Sequence, residues 1–410
     1  MEVVNGTQCD VQATQGLDKA GQPWLVVMAK ATYRIEDRIE GRLAAPARPA
    51  RQQNKLMATD LFEAEPGLST PFFESDYVPF KAACDVIVKG SAHAPWRDGA
   101  PGAVRQLDVG LRVQGSDAEV VLQKTLRVYG QRQWRKRLGG WSLSEPEAFS
   151  VMPVTYGRAF GGMFTHEAIG SADPKDFLAH PMNLVGRGFA QGKFARLLDG
   201  APAHQTELWV DGEPKLLTDP QQAHAPASLG PLARNWQPRL RWAGTYDQAW
   251  RDEVFPLLPA DFDERFYQCA PEDQQMPYPK GGETVTLANL TLAAAKDAQN
   301  SQTRGLLSLK LPRRAMPMVV LDKQRNTHVL QPVIDTLAID ADAMRFDVTW
   351  RARMPLRRSL HEVHTVAVGS VSRRWWHGRV YGTGSEGGCE GCGDATTASD
   401  LAPVTEGLPT

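Results

Sequence analysis

Apolar and polar residues alternate with a period of two at both ends of this chain but not in its middle third, and no other feature limits the fold as much. Trp24 to Ile35 is rich in apolar and β-branched residues, and Ile39 to Leu43 follows a polar turn through Asp37, which is the pattern of a hairpin. Cys84 to Lys89 sets Cys84, Val86 and Val88 on one face and Asp85, Ile87 and Lys89 on the other, with the first face expected to be buried. Leu107 to Val113 and Glu119 to Val128 flank a Gln-Gly-Ser-Asp turn and predict a second hairpin. The pattern resumes at Leu306 to Leu311, Met318 to Leu321, Val329 to Ile339 (broken by Pro332), Met344 to Met354 and Val363 to Val371. These runs predict a mainly β protein with two β-sandwich-like lobes, residues 1–150 and 291–381, joined by a loop-rich region over 151–290 with short helices.

Glycine, proline and aromatic residues take over in the middle, so that region must be held by side-chain contacts rather than by long ladders. Thr245 with Gln248, and Asp261 with Glu264, have capping-box spacing and predict two short helices stopped by Pro256 and Pro271. Tyr246 and Trp250, like Phe262 and Phe266, then share a helix face and are expected to point inward. Arg158, Trp236, Arg239, Tyr246, Asp247 and Trp250 are expected to form one packed polar and aromatic network.

With 410 residues and a formal net charge of −1, the chain is long enough for real cores and carries no overall field that demands nucleic acid or an anionic membrane. Its opening residues lack the basic and apolar regions of a signal peptide, and no apolar run approaches the roughly 18 residues needed to cross a bilayer, so a cytoplasmic protein without membrane contact is expected. Cys9, Cys84, Cys269, Cys389 and Cys392 are odd in number and scattered, the usage of free thiols. Residues 382–410 hold no lysine, arginine or aromatic side chain and read as a disordered tail.

Several patterns suggest chemistry. Gly382-Thr-Gly384-Ser-Glu-Gly387 spells a dinucleotide fingerprint, but no helix pattern follows to meet a pyrophosphate. His361 and His364 are three apart in a strand composition, which sets their rings on opposite faces. Cys389 and Cys392 have zinc-ligand spacing without a second pair, leaving only zinc shared between chains. Asp247, Asp261, Asp263 and Glu264 could run acid/base hydrolysis, against capping duties at helix starts. Arg158, Arg187 and Arg239 have the forked donors that grip anions, against structural pairing with carboxylates or carbonyls. Late in the chain Arg357, Arg358, Arg373 and Arg374 accompany Trp375 and Trp376, a composition that serves single-stranded nucleic acid or, as expected here, a protein partner. No cofactor, no resident metal and no catalytic set is expected.

Three middle segments carry a resemblance. They are Tyr156-Gly-Arg158-Ala-Phe160-Gly161-Gly162, then Asn183-Leu-Val-Gly186-Arg187-Gly188-Phe189, then Gly230 to Gln275 with Trp236, Arg239, Gly244, Thr245, Tyr246, Asp247, Trp250, Asp261, Pro271 and Gln274. With Cys84 to Pro95 and Gly130 to Trp134 they stand in the order of the bacterial family called domain of unknown function 2169, which the chain resembles from near Trp24 to near Pro312. Gly157 stands where that family usually has glutamate, and Leu184 where it usually has proline. The resemblance implies a non-enzymatic cytoplasmic adaptor or chaperone of type VI secretion. Such a protein binds a PAAR-like spike tip or effector and helps to load it onto the VgrG spike. A hydrolase using the central carboxylates and a nucleic-acid-binding protein are the alternatives.

Overall fold

The computed structural model describes residues 1–36, 45–297 and 305–382. The expected strand Ile39 to Leu43, the tail from residue 383, both of its cysteines and most of the Gly382 to Gly387 fingerprint therefore lie outside the described residues.

The fold is mainly β and loop-rich, as the alternation predicts, with most strands within a residue or two of their expected places. Gln106–Gln114 and Val120–Tyr129 form the expected hairpin at the centre of one seven-stranded sheet. Its order is Glu213–Pro214, Thr206–Val210, Val120–Tyr129, Gln106–Gln114, Thr284–Ala288, Leu306–Lys310 and Ala45–Pro46. A second sheet runs Asp10–Leu17, Pro23–Arg34, Arg345–Pro355, Val333–Asp340, Cys84–Lys89, Gln275–Met276, with Arg48–Pro49 added beside Pro23–Arg34. A four-stranded sheet orders Glu2–Gly6, Val363–Gly369, Met318–Asp322, Thr327–Leu330.

The alternation did not show how the two β-rich stretches combine. Cys84–Lys89 lies parallel to Val333–Asp340, and Pro23–Arg34 lies antiparallel to Arg345–Pro355 along its whole length, so strands from both ends of the chain alternate within one sheet. The boundaries near 150 and 290 thus mark changes in chain character and not separable sheets. One apolar cluster fills the space between the sheets, from Val109, Leu111 and Leu126 through Leu25, Val27 and Val86 to Met318, Val320 and Val366. The face of Cys84–Lys89 expected to be exposed is buried too, with Asp85 and Ile87 0% and 2% exposed, because residues 268–270 fold over it and donate to the Asp85 carboxylate.

The helices are short. Asp247, not Thr245, caps the helix α2 (Gln248–Glu253; α1 is Gln237–Leu240) by accepting from Trp250 N–H at 2.9 Å. Likewise Asp263, not Asp261, caps the 3-10 turn Glu264–Tyr267. The two residues expected as caps bind each other instead: Thr245 donates its N–H and its hydroxyl to Asp261 at 2.9 and 2.8 Å. Gly244 permits the turn that brings them together, at φ +83° with space for a Cβ only 2.8 Å from Pro259. Phe262 is buried, whereas Tyr246 is half exposed, contrary to expectation. Cys9, Cys84 and Cys269 are free and buried.

Candidate functional site

The middle region is stitched by polar side chains that bond backbone groups which no ladder reaches. Asn183, fully buried, donates to Tyr156 O and Phe160 O at 2.9 and 3.0 Å. Gly161 faces it at φ +154°, where a Cβ would lie 2.3 Å from Asn183 O, so only glycine fits. The Arg239 guanidinium donates to Leu232 O, to Phe266 O and to Glu74 Oε1, the last at 2.5 Å. Gln274 donates to Val86 O and Leu229 O, both at 2.8 Å, and its oxygen accepts from buried Lys124 at 2.8 Å, tying both large sheets to the middle region. A second group surrounds Phe160, whose ring meets His180, His204 and His224 each at 5.5 Å. Burial pushes the imidazoles of His180 and His204 down to about 4. Burial alone would raise Glu207, but its bonds to His204 and Arg132 hold it down to about 2.

The expected six-residue network does not form. Arg158 bonds Gln205, Arg239 bonds Glu74, Trp236 stacks edge-on against Tyr156, and Asp247 and Tyr246 sit at the surface around α2. Nor do the four carboxylates converge as an acid/base set. Bonds from Thr245 lower the Asp261 carboxyl, and Arg265 holds Asp263 down to about 2, which is opposite to the raised value a general acid requires. Glu264 faces Arg353 at 3.7 Å.

These same motif segments enclose a groove of about 320 Å³. Tyr156, Met182, Leu232, Pro238, Trp242 and Pro271 belong to its apolar lining, and Lys124, Arg239, Arg241 and Arg265 are its cations, with the acids Glu272 and Asp273 beside them. The guanidinium of Arg265 lies 3.4 Å and that of Arg241 4.7 Å from the Trp242 ring centre. Arg241 and Arg265 are exposed, and besides Trp242 they meet the carboxylates Glu272 and Asp263. Sequence reasoning did not single out Trp242. The signal was present in Arg241-Trp242-Ala-Gly244, a tryptophan beside an arginine and before a turn glycine.

The late arginine and tryptophan patch is only partly available to a partner. Arg373–Tyr381 form α4 (α3 is Leu292–Asp297), capped by Ser372, and Trp376 is 3% exposed in a cluster with Val319, Leu321, Ala367 and Val371. Trp376 is therefore a core residue and not a surface anchor. Trp375 is partly buried with Arg379 over its ring, whereas Arg357, Arg358, Arg373 and Arg374 are exposed. Trp350 and Arg351 are also buried, the latter paired with Asp335, which a bulge between Ile334 and Thr336 turns toward it. Among the described residues, no cluster of three or more histidine, cysteine or acidic side chains has the geometry to hold a metal, and no helix is long and apolar enough to cross a membrane.

No curated protein and no solved structure matches the chain. The profile of a family described as "Uncharacterized protein conserved in bacteria (DUF2169)" matches residues 20–351, a span that holds the sheet built around the Gln106–Tyr129 hairpin, most of the second large sheet without its edge strand Asp10–Leu17, the stitched middle region and the groove. The chain belongs to the DUF2169 family.

Proposed function

We propose that this protein is an adaptor or chaperone of type VI secretion that binds a PAAR-like spike tip or effector in the cytoplasm and helps to load it onto VgrG. The role comes from the resemblance of its motif segments to that family. The groove around Trp242 is the observation on this chain that supports the reading. The motif side chains Asn183, Arg239, Asp261 and Gln274 are consumed in holding the middle region together, and beside them lies a largely apolar cleft whose rim carries Arg241 and Arg265 with Glu272 and Asp273. Aromatic and arginine anchors around a concave apolar centre are the composition of protein-binding hot spots. The hydrolase reading has less support, since Asp261 and Asp263 are lowered by the neighbours that engage them and the four central carboxylates do not converge on one site.

Co-expression with a PAAR-like protein encoded nearby, followed by pull-down at moderate salt, tests the role. The expected result is a stable soluble complex that Trp242→Ala weakens by at least about tenfold, a hot-spot effect of roughly 1.4 kcal/mol or more. Failure to capture any spike or effector component, together with turnover of a small substrate, overturns the adaptor reading in favour of an enzyme.

A further inference from the structure

The structure separates the three arginines that sequence reasoning grouped. Arg239 has its carboxylate, Glu74, as do the buried Arg132 with Glu207 and Arg351 with Asp335. Arg158 and Arg187 do not: among the described residues neither has an acidic oxygen within ion-pair distance. Both are half-buried and both point at one neutral atom. Gln205 Oε1 accepts from Arg158 Nη1 at 2.7 Å and from Arg187 Nη1 at 3.5 Å, so the two cations lie side by side. Arg187 also donates through Nε to Gly157 O at 2.9 Å. The nearest influence of opposite sign is Glu63, an exposed residue that acts only through space. Burial, and after it the neighbouring Arg158, lowers Arg187 from its ordinary value.

We propose that Arg158 and Arg187 together form a binding site for an oxyanion, a phosphate or carboxylate group that supplies the counter-charge the fold withholds. The site is preorganised. Gln205 is 1% exposed and fixed by its own N–H to Arg158 O at 2.7 Å, and its amide nitrogen donates to Tyr129 O. Asn183 pins Tyr156 O at the start of the turn that carries Arg158, and Gly157 N–H is held by Thr70 Oγ1 at 3.0 Å. Nη2 of both arginines has no partner among the described residues, which leaves an N–H donor group on each of two adjacent guanidiniums. Two such cationic donor groups suit the oxygens of a carboxylate or phosphate, and their bonds are worth most where water is partly excluded. A pair kept only for packing would be expected to carry an acid between the cations, as the other buried arginines do.

Thermal melting in inorganic phosphate, against sodium chloride at equal ionic strength, tests the site in the full chain. Phosphate should raise the melting temperature saturably, as any ligand of the native state does. Arg158→Gln should cut the apparent affinity at least about tenfold, the loss of one charge-assisted pair. Without phosphate, Arg158→Gln should melt at or above the parent because a repelling cation is gone, whereas Arg112→Gln, exposed on the strand Gln106–Gln114, should keep the full response. Should Arg187→Gln fail to fold for want of its bond to Gly157, Arg158→Gln decides alone. Succinate in a parallel arm names the source: a response to phosphate only assigns a phosphoryl ligand, and a response to both assigns a site open to carboxylate side chains. A melting temperature that follows ionic strength alone, or a phosphate response unchanged in Arg158→Gln, overturns the proposal.

Discussion

The sheets and the middle region satisfy buried backbone polar groups by different means. Pro23–Arg34 is laddered on one side to Asp10–Leu17 and on the other to Arg345–Pro355, so its side chains from Leu25 to Ala29 need only be apolar and of suitable size. Between residues 156 and 275 the strands are mostly two residues long, and carbonyls and amides find Asn183, Arg132, Arg239, Gln274 and Asp85 instead. A ladder tolerates any residue of the right class. A stitch requires one chemical identity, and loses it with any substitution that removes the donor. This difference accounts for where the motif segments concentrate.

The largest loss is expected at Arg239. Removing it leaves Glu74 buried without its closest cation, together with two carbonyls, and breaking a buried pair costs about 3–5 kcal/mol, so Arg239→Ala should unfold at much lower urea concentration. Asn183→Ala strands Tyr156 O and Phe160 O and should cost about 1–3 kcal/mol per orphaned group. In the sheet core, Leu111→Met conserves volume and class and should cost less than about 1.5 kcal/mol. Equal losses for Leu111→Met and Arg239→Ala would break the distinction between ladder and stitch.

Acid should separate the two regions next. His180 and His204 are neutral in the fold with values near 4, whereas in the unfolded chain they titrate near their ordinary value. Between those values the unfolded state binds more protons than the native one, so stability falls as pH falls from about 6.5 to about 4, by up to roughly 3 kcal/mol per histidine. The bonds of Glu207 to His204 and Arg132 are lost only at still lower pH, through its own lowered value. Hydrogen exchange followed from pH 7 to 5 should therefore accelerate around Phe160 and Phe189 before it does in the large sheets. His180→Gln should flatten the pH slope, and an unchanged slope in that variant would show that the buried imidazole is not its source.

Much of the ladder half was legible in the sequence and little of the stitched half. Alternation placed the hairpin at 106–129 and all five late runs, including the break at Pro332, because period-two burial is written into each strand separately. Pairing was illegible because Cys84–Lys89 finds Val333–Asp340 across most of the chain, and nothing local records that choice. The capping boxes misled for a physical reason. Thr245 and Asp261 satisfy each other across the Gly244 turn, so the next acids, Asp247 and Asp263, are left to cap the helix starts. Arginines surround Trp376 in sequence and suggest a surface anchor, yet a helix turns it onto Val319 and Leu321 while Arg373 and Arg374 stay exposed. Of the three candidate arginines, only three-dimensional pairing could show that Arg239 is neutralised while Arg158 and Arg187 are not.

The smallest effects sit at the groove rim, where stitching ends. Asp247→Ala removes one helix cap from α2 and should cost only about 1 kcal/mol, far less than the central network role expected of it. Glu272→Gln should cost nothing measurable, since Glu272 is 79% exposed and exposed ion pairs contribute little. It does, however, release Arg241 beside Trp242 and raise the positive charge at the mouth of the groove. If the groove receives cargo, Glu272→Gln should change the rate of complex formation and its salt dependence while the melting temperature stays put, because rim charges act mainly on encounter. Arg239→Ala predicts the reverse, a loss of binding only in proportion to the loss of folded protein. Association rates measured at two salt concentrations for both variants distinguish a rim that recognises from a wall that supports.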